Sequence, residues 1–402
     1  MLDPNKIRKD FSILSGSEGR LVYLDSASTT HKPNSVIAKT VDYYSSYNAN
    51  VHRGIYSIAE RATEQFELAR DSIAQFFRAK SRESIVLTSG TTESVNLVAY
   101  SLCLHTLKEG DEILLSEMEH HSNIVPWQII GKRMGINIKF LTPNDDGIID
   151  SDSIVNNISE RTRVVSIIHQ SNVTGAVNDI ESISRAVKEY DIRLFVDAAQ
   201  SVGKIDIDVQ KVGCDYLAFS AHKVFGPTGL GGLYIRPDRI DELQPFMGGG
   251  EMIRSVTTDG ATWNDAPWKY EAGTPMIAQA IAMPAAIDYI NDIGINNISS
   301  YIAKLTDYAI DALSQIDGIN LYTFPTTQSV ISFNIDGSHP FDLAKILDQK
   351  GICIRAGHHC AQPLHKSLGI EKSNRVSLHI YNTYREVDML IDNINKALEI
   401  IR

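Results

Sequence analysis

The sequence predicts an α/β protein: a large domain built on a mainly parallel sheet, followed by a smaller α+β domain. Three observations carry that expectation. The chain has 402 residues, more than one ordinary small core accommodates. Between residues 84 and 235 short apolar runs alternate with helical stretches, the pattern of parallel strands covered on both faces. Beyond Met247 the texture changes, with Gly248-Gly249-Gly250 opening a polar stretch to Trp268, after which a second set of helices and strands begins. The expected partition is an N-terminal segment, 1–18, packing with the small domain; a large domain, 19–262; and a small C-terminal domain, 263–402.

In chain order, residues 1–20 read as a short polar helix and a Gly/Ser-rich turn that lead into a strand at 21–25. A polar loop, Ser26-Ala27-Ser28-Thr29-Thr30, precedes a helical pattern over 34–47 and the loop Asn50-Val51-His52-Arg53-Gly54. Ile85-Val86-Leu87-Thr88 is of strand length, and Ser89-Gly90-Thr91-Thr92-Glu93 links it to a helix over 94–107. Further strands are expected at 112–115, 137–141, 164–168, 193–196, 216–219 and 232–235, with a helix at 124–134. No regular element is expected from 248 to 268. Thr274-Pro275, a hydroxyl cap with proline in the first turn, should start an apolar helix over 276–290. A helix at 298–316, strands at 319–324 and 330–335, a helix at 342–349, strands at 352–354 and 375–380, and a last helix from Glu386 complete the small domain.

Composition narrows the function. With 43% hydrophobic and 22% charged residues the chain falls in the ordinary globular range. A net charge of -11 argues against nucleic acid or an anionic membrane as partner and toward small-molecule chemistry. The N-terminus has no apolar signal region and no apolar run is long enough to span a bilayer, so a cytoplasmic protein is expected. The four cysteines show no C-x-x-C spacing and should be free thiols. Neither G-x-G-x-x-G nor G-x-x-x-x-G-K-[ST] occurs, which lowers the dinucleotide and ATP readings.

In open α/β sheets ligands bind at the carboxyl ends of the strands. There Ser220-Ala221-His222-Lys223 follows the apolar run Tyr216-Leu217-Ala218-Phe219, and a lysine at the mouth of a buried strand suits a Schiff-base nucleophile. Asp197 ends another apolar strand; a buried acid needs a cationic partner, which a protonated pyridine nitrogen would provide, although a capping aspartate fits that segment alone equally well. A pyridoxal phosphate enzyme requires both groups. Gly90-Thr91-Thr92 stands where backbone N–H groups and the helix dipole favour a phosphate, or where a helix is simply capped. His120 is either an imidazole stacked on a flat cofactor ring or an uninvolved loop histidine. Glu117, Glu119, His120 and His121 lack the H-E-x-x-H spacing, so no metal is expected. Arg355-Ala356-Gly357-His358-His359-Cys360-Ala361 reads as an exposed loop in which neighbouring positive charge favours a thiolate, with a zinc ligand set or a buried thiol as alternatives. Cys103, Cys214 and Cys353 lie in or beside apolar stretches and read as inert.

Leu24-Asp25-Ser26-Ala27-Ser28-Thr29-Thr30, Asn50-Val51-His52-Arg53-Gly54, Ser89-Gly90-Thr91-Thr92-Glu93 and Glu117-Met118-Glu119-His120-His121-Ser122-Asn123 together resemble the class V aminotransferase-fold cysteine desulfurases. So do Val196-Asp197-Ala198-Ala199-Gln200, Ser220-Ala221-His222-Lys223, Gly248-Gly249-Gly250-Glu251-Met252-Ile253 and Glu271-Ala272-Gly273-Thr274-Pro275. The segment from Arg355 to Ala361 resembles the SUF-type (group II) branch. The resemblance implies a homodimeric enzyme of the pyridoxal 5'-phosphate (PLP)-dependent transferase fold type I. It would convert L-cysteine to L-alanine with a persulfide on Cys360, and supply sulfur for iron-sulfur cluster assembly through a SufE-like or SufU-like acceptor protein. Lys223 would bind PLP covalently and shuttle protons, Asp197 would hold the pyridinium nitrogen, His120 would stack on the ring and Gln200 would meet its hydroxyl. Thr92, Ser220 and His222 would hold the phosphate, with Thr91 in the same cofactor set and Thr274 contributed by the other subunit. Asn172 and Arg375 would bind the substrate carboxylate, Arg355 would line the entrance beside Cys360, and His52 and Arg53 are counted with the substrate-binding residues.

Ser89, His379, Trp263 and Trp268 depart from the family pattern, the first where a basic residue is common and His379 where an apolar or small one is; none belongs to the implied catalytic set. The neighbouring readings are a selenocysteine lyase or cysteine sulfinate desulfinase, in which the leaving group departs without thiol attack, and a sulfur-relay protein active mainly in complex with an acceptor.

Overall fold

The computed structural model describes residues 2–17 and 20–401. Seven strands form its central sheet: β1 (Ile85–Thr88), β2 (Glu112–Ser116), β3 (Asn137–Leu141), β4 (Thr162–Ile168), β5 (Arg193–Asp197), β6 (Tyr216–Ser220) and β7 (Gly231–Ile235). Their order across the sheet is β1-β7-β6-β5-β4-β2-β3. β2 through β6 pair in parallel, while β7 runs antiparallel to β1 and β6. Because side chains alternate across a strand, Leu194, Val196, Leu217 and Phe219 enter one core and Phe195, Tyr216 and Ala218 the other.

Helices α1 (Asn34–Ser46) and α2 (Ser57–Phe76) precede the sheet, α3 (Thr91–His105) and α4 (Val125–Met134) lie between its strands, and α5 (Ile277–Ile293) follows it. α1, α2 and α5 pack together on one face and α3 and α4 on the other. α2 is absent from the sequence expectation. Its buried face is largely alanine, with Ala59, Ala62, Ala69 and Ala74 beside Phe66 and Ile73, so the apolar stripe is faint.

The smaller unit has an antiparallel sheet of β8 (Ile319–Tyr322), β9 (Val330–Ile335), β10 (Arg355–Gly357) and β11 (Ser373–Ser377), in the order β8-β9-β11-β10. α6 (Ile295–Ser314) and α7 (Tyr384–Ile401) cover it. Core membership does not follow chain order. α5 lies beyond residue 263 but packs in the large-domain core, whereas Val22–Tyr23 pairs in parallel with Ile352–Cys353 and buries Val22 and Leu24 in the small-domain core. The N-terminal segment spans both units: Phe11 packs on Phe225, Tyr289 and Tyr381, and Arg8 pairs with Glu386. Glu18 and Gly19, in the expected Gly/Ser-rich turn, lie outside the described residues.

Three local expectations also change. A hairpin, Ile253–Val256 with Ala261–Trp263, occupies the stretch expected to be irregular; most of its residues are exposed, so it carries no alternation to read. Thr274 does not cap α5, whose N-cap is Met276, so its hydroxyl is not committed to that helix. β11 ends at Ser377, leaving His379 beyond the strand, stacked on Tyr381 and edge-on to Phe225. Among the described residues no helix is long and apolar enough to cross a membrane.

The segment before α5 is tied to the sheet by an ion pair. Arg70, fully buried, donates to both Glu271 carboxylate oxygens at 2.6 and 2.9 Å and to Ile85 O at 2.8 Å, while Glu271 also accepts from Leu87 N at 2.7 Å. Glu271→Ala removes the bidentate partner of a buried guanidinium, leaving it Glu67 Oε2 at 3.2 Å as its carboxylate, and should cost about 3 kcal/mol, lowering the urea midpoint, whereas Arg70→Met with Glu271→Leu should recover most of the loss. An unchanged midpoint in Glu271→Ala would show that the pair does not stabilise the fold.

Candidate active site

A cavity of about 270 Å³ opens between the carboxyl ends of the sheet strands and the loop after β10. Lys223, Asp197, His120, Gln200, Thr91, Thr92, Ser220, His222, Asn172, Arg355, Arg375 and Cys360 all line it. Segments far apart in sequence meet there because parallel strands end on the same edge of a sheet.

Asp197, the last residue of β5, is buried. Its Oδ1 accepts from Ala199 N at 2.9 Å, and burial raises its pKa while Lys223 nearby opposes that rise. A carboxylate so placed favours a cation in the cavity. Gln200 donates Nε2 to Ala27 O at 2.7 Å, tying the β5 loop to the polar N-terminal loop. Lys223 ends the short 3-10 turn after β6, where burial lowers the pKa of its amine.

At the opposite end, β1 turns into α3 through Gly90, whose φ of 155° disfavours a side chain. A Cβ added at Gly231 would come within 2.5 Å of Gly90 Cα, so these two glycines permit β7 and the turn to touch. Ser220 Oγ accepts from Thr91 N at 2.9 Å and meets Thr91 Oγ1 at 2.8 Å. The hydroxyls of Thr91, Thr92 and Ser220 thus surround the start of a fifteen-residue helix, where N–H groups and the dipole favour an anion.

His120 follows the strand β2. Its Nδ1 accepts from Ser122 N at 3.1 Å, which leaves the proton of the neutral ring on Nε2. Burial, reinforced by Lys223 and the nearby arginines, lowers its pKa to about 3. Beneath it Glu119 is fully buried and accepts from Ile168 N and Asn123 Nδ2 at 2.9 and 2.7 Å.

The far wall comes from the smaller unit. Arg375 donates to Asn172 O at 3.0 Å, Asp25 Oδ1 at 2.8 Å and Ser28 Oγ at 2.9 Å, and Arg355 donates to the same Ser28 Oγ at 2.7 Å. Arg375 Nε, Asn172 Oδ1 and His359 Nδ1 are buried without a hydrogen-bond partner. Cys360 is exposed, and it and His359 have φ of 56° and 50°, a left-handed conformation that non-glycine residues seldom adopt. Cys103 and Cys214 are buried thiols whose pKa burial pushes up to about 12.

Three expected site residues lie outside the cavity of this chain. His52 pairs with Glu67 at 3.0 Å, Arg53 with Glu251 at 3.2 Å, and Thr274 is exposed. Conversely, Asp25, Ser28 and His359 take part in the site although no role was assigned to them. The signal available for Asp25 and Ser28 was a polar run at the end of a strand; their arginine partners lie at the other end of the chain.

The donor set suits PLP. A buried carboxylate, the hydroxyls around a helix N-terminus and the two arginines Arg355 and Arg375 line one cavity. Asp197 would hold the pyridine nitrogen, Thr92 and Ser220 the phosphate, and Lys223 the aldehyde carbon.

The low pKa of His120 has a consequence for stability. The folded ring stays neutral while the unfolded ring takes a proton below about 6.5, so its contribution is full above that pH and is lost as pH falls toward about 3. Nitrogen-resolved NMR of histidine-labelled apoprotein should show His120 in the Nε2–H form without titration from pH 8 to 5. A midpoint near 6.5 would contradict the assigned environment.

Residues 22–390 match the family model described as aminotransferase class-V. The cysteine desulfurase of Haloferax volcanii is 44% identical over 416 aligned residues, covering 99% of this chain and 98% of that protein. A probable cysteine desulfurase of Halalkalibacterium halodurans is also 44% identical, over 99% and 98% of the two chains. The crystal structure of the Escherichia coli cysteine desulfurase CsdA, in an S-sulfonic acid form, superposes with a TM-score of 0.94 at 37% identity and full coverage of both chains. With this fold and this donor set, the chain belongs to the class V aminotransferase family and, within it, to the PLP-dependent cysteine desulfurases.

Proposed function

We propose that the protein converts L-cysteine to L-alanine, leaves a persulfide on Cys360 and passes that sulfur to an acceptor protein thiol for iron-sulfur cluster assembly. One observation carries the reading: an exposed cysteine on a left-handed turn lines the same cavity as the buried Lys223 and Asp197.

Bound PLP supplies an electron sink for the substrate's α-carbon. Lys223 Nζ, whose proton affinity burial reduces, binds the cofactor and moves protons at the substrate carbons. Asp197 keeps a positive charge opposite its carboxylate, and neutral His120 covers the cavity with a ring that does not repel that charge. Arg375 and Asn172 take the substrate carboxylate, orienting the thiol toward the cysteine loop. Cys360 Sγ, as thiolate, attacks the substrate sulfur. The substrate Cβ–Sγ bond breaks, its electron pair stays on carbon and is protonated, and the enzyme retains S–SH. L-cysteine and an enzyme thiol thus become L-alanine and an enzyme persulfide. An acceptor thiol, on a SufE-like or SufU-like protein, then removes the outer sulfur by exchange.

The homodimer is part of the reading. Thr274, His52 and Arg53 face away from this chain's cavity, and Ile55, Tyr56 and Ile58 next to them are exposed, Ile55 by 94%. An apolar patch of that kind suits a second subunit.

After mixing with L-cysteine, mass spectrometry of the holoenzyme should find one additional sulfur on the Cys360 peptide. Cys360→Ser should lose both the persulfide and alanine production in the presence of an acceptor thiol; undiminished alanine would eliminate thiol attack. Arg375→Met should reduce kcat/KM by about 30-fold or more through loss of a charge-assisted contact of about 2 kcal/mol or more. A change under threefold would remove the arginine from carboxylate binding.

A further inference from the structure

The cysteine loop is held to the large domain at three places. Asn172 Nδ2 donates to His359 O at 2.6 Å. The other two involve a single residue: His121 N donates to Cys360 O at 2.7 Å, and His121 Nε2 accepts from Gln362 N at 3.1 Å. His121 therefore grips the chain immediately after the Cys360 side chain, while Asn172 holds it immediately before. The grip is needed because His359 and Cys360 occupy consecutive left-handed conformations, which cost free energy and persist only where surrounding contacts impose them. His121 belongs to the same loop as His120, so the group over the cavity and the clamp on the thiol are adjacent residues between β2 and α4. The ring bond requires Nε2 to be unprotonated, and burial together with His358 nearby lowers the pKa of His121.

We propose that His121 is a positioning residue for the Cys360 thiol: its backbone amide and ring Nε2 hold the left-handed cysteine turn so that Sγ faces the substrate sulfur. This rests on the desulfurase reading above. His121 touches neither substrate nor cofactor in that scheme; it acts through the turn.

The test compares wild type, His121→Ala and His121→Gln as holoenzymes; glutamine offers an acceptor oxygen near the position of Nε2. Hydrogen exchange at the Gln362 amide should accelerate about five- to tenfold in His121→Ala and stay within twofold of wild type in His121→Gln. In a single turnover with L-cysteine, persulfide formation on Cys360 should slow by about the same factor in the alanine variant and recover in the glutamine variant. The L-cysteine affinity read from the visible band of the bound cofactor should not change. Unaltered exchange at Gln362 in His121→Ala overturns the clamp, and so does persulfide formation within twofold of wild type. A fall in persulfide formation accompanied by an equal loss of L-cysteine affinity also overturns it, because the defect then lies in the cavity. If wild type itself forms no persulfide, the desulfurase reading fails, and the exchange measurement decides the clamp separately.

Discussion

A single buried guanidinium joins the parts of this molecule that must meet. Arg375 reaches from β11 of the smaller unit to Asp25 and Ser28 near the N-terminus and to Asn172 after β4. Such a charge is tolerated inside a protein only when nearly all its donors are matched, and removing a partner leaves an uncompensated ion. Its Nε is buried without a partner, and the residue lines the cavity. The contact between the two units and the wall of the cavity therefore share this residue. Whatever orders the N-terminal loop also orders the substrate side of the cavity.

The cavity's electrostatics follow from burial. His120, His222 and His359 are all held neutral by desolvation in the presence of lysine and arginine, with pKa values lowered to about 3, 4 and 2. Asp197 is raised by the same effect. Neutral rings among fixed cations leave a field that would favour a carboxylate and a phosphate, and Asp197 would favour a cationic ring atom. Lys223 has its pKa lowered in the same surroundings, which favours the free amine that covalent chemistry requires. Cys360 differs from every other reactive group here in standing exposed, as transfer to a partner's thiol requires.

Much of this was legible in the primary structure. The strands of the central sheet are short buried runs bounded by loops, and their expected positions agree with the structure to within two residues at either end. Lys223, Asp197 and Gly90 stand at strand ends, which is where chemistry occurs in open sheets. α2 was illegible because alanine contributes little hydrophobic contrast, and the hairpin after Met252 because most of its residues face water. Which elements complete which core is not legible in the sequence, for one reason. The chain passes between cores repeatedly, with Val22–Tyr23 completing the small domain and α5 the large one, and such crossings leave no mark in composition.

What the sequence determined by itself is a parallel sheet, from the spacing of apolar runs, and a set of candidates, Lys223, Asp197 and Cys360, that local context singles out while leaving other readings of Asp197 and Cys360 open. Each depends on neighbours a few residues away, where strand period and turn chemistry act. Tertiary structure alone decided that Arg375 binds Asp25, that Arg355 shares Ser28 with it, and that His121 grips the turn carrying Cys360. It also decided that His52, Arg53 and Thr274 face away from this chain's own cavity. These are contacts across hundreds of residues or between surfaces. They are set by how the two cores pack against each other, and no local pattern encodes that geometry.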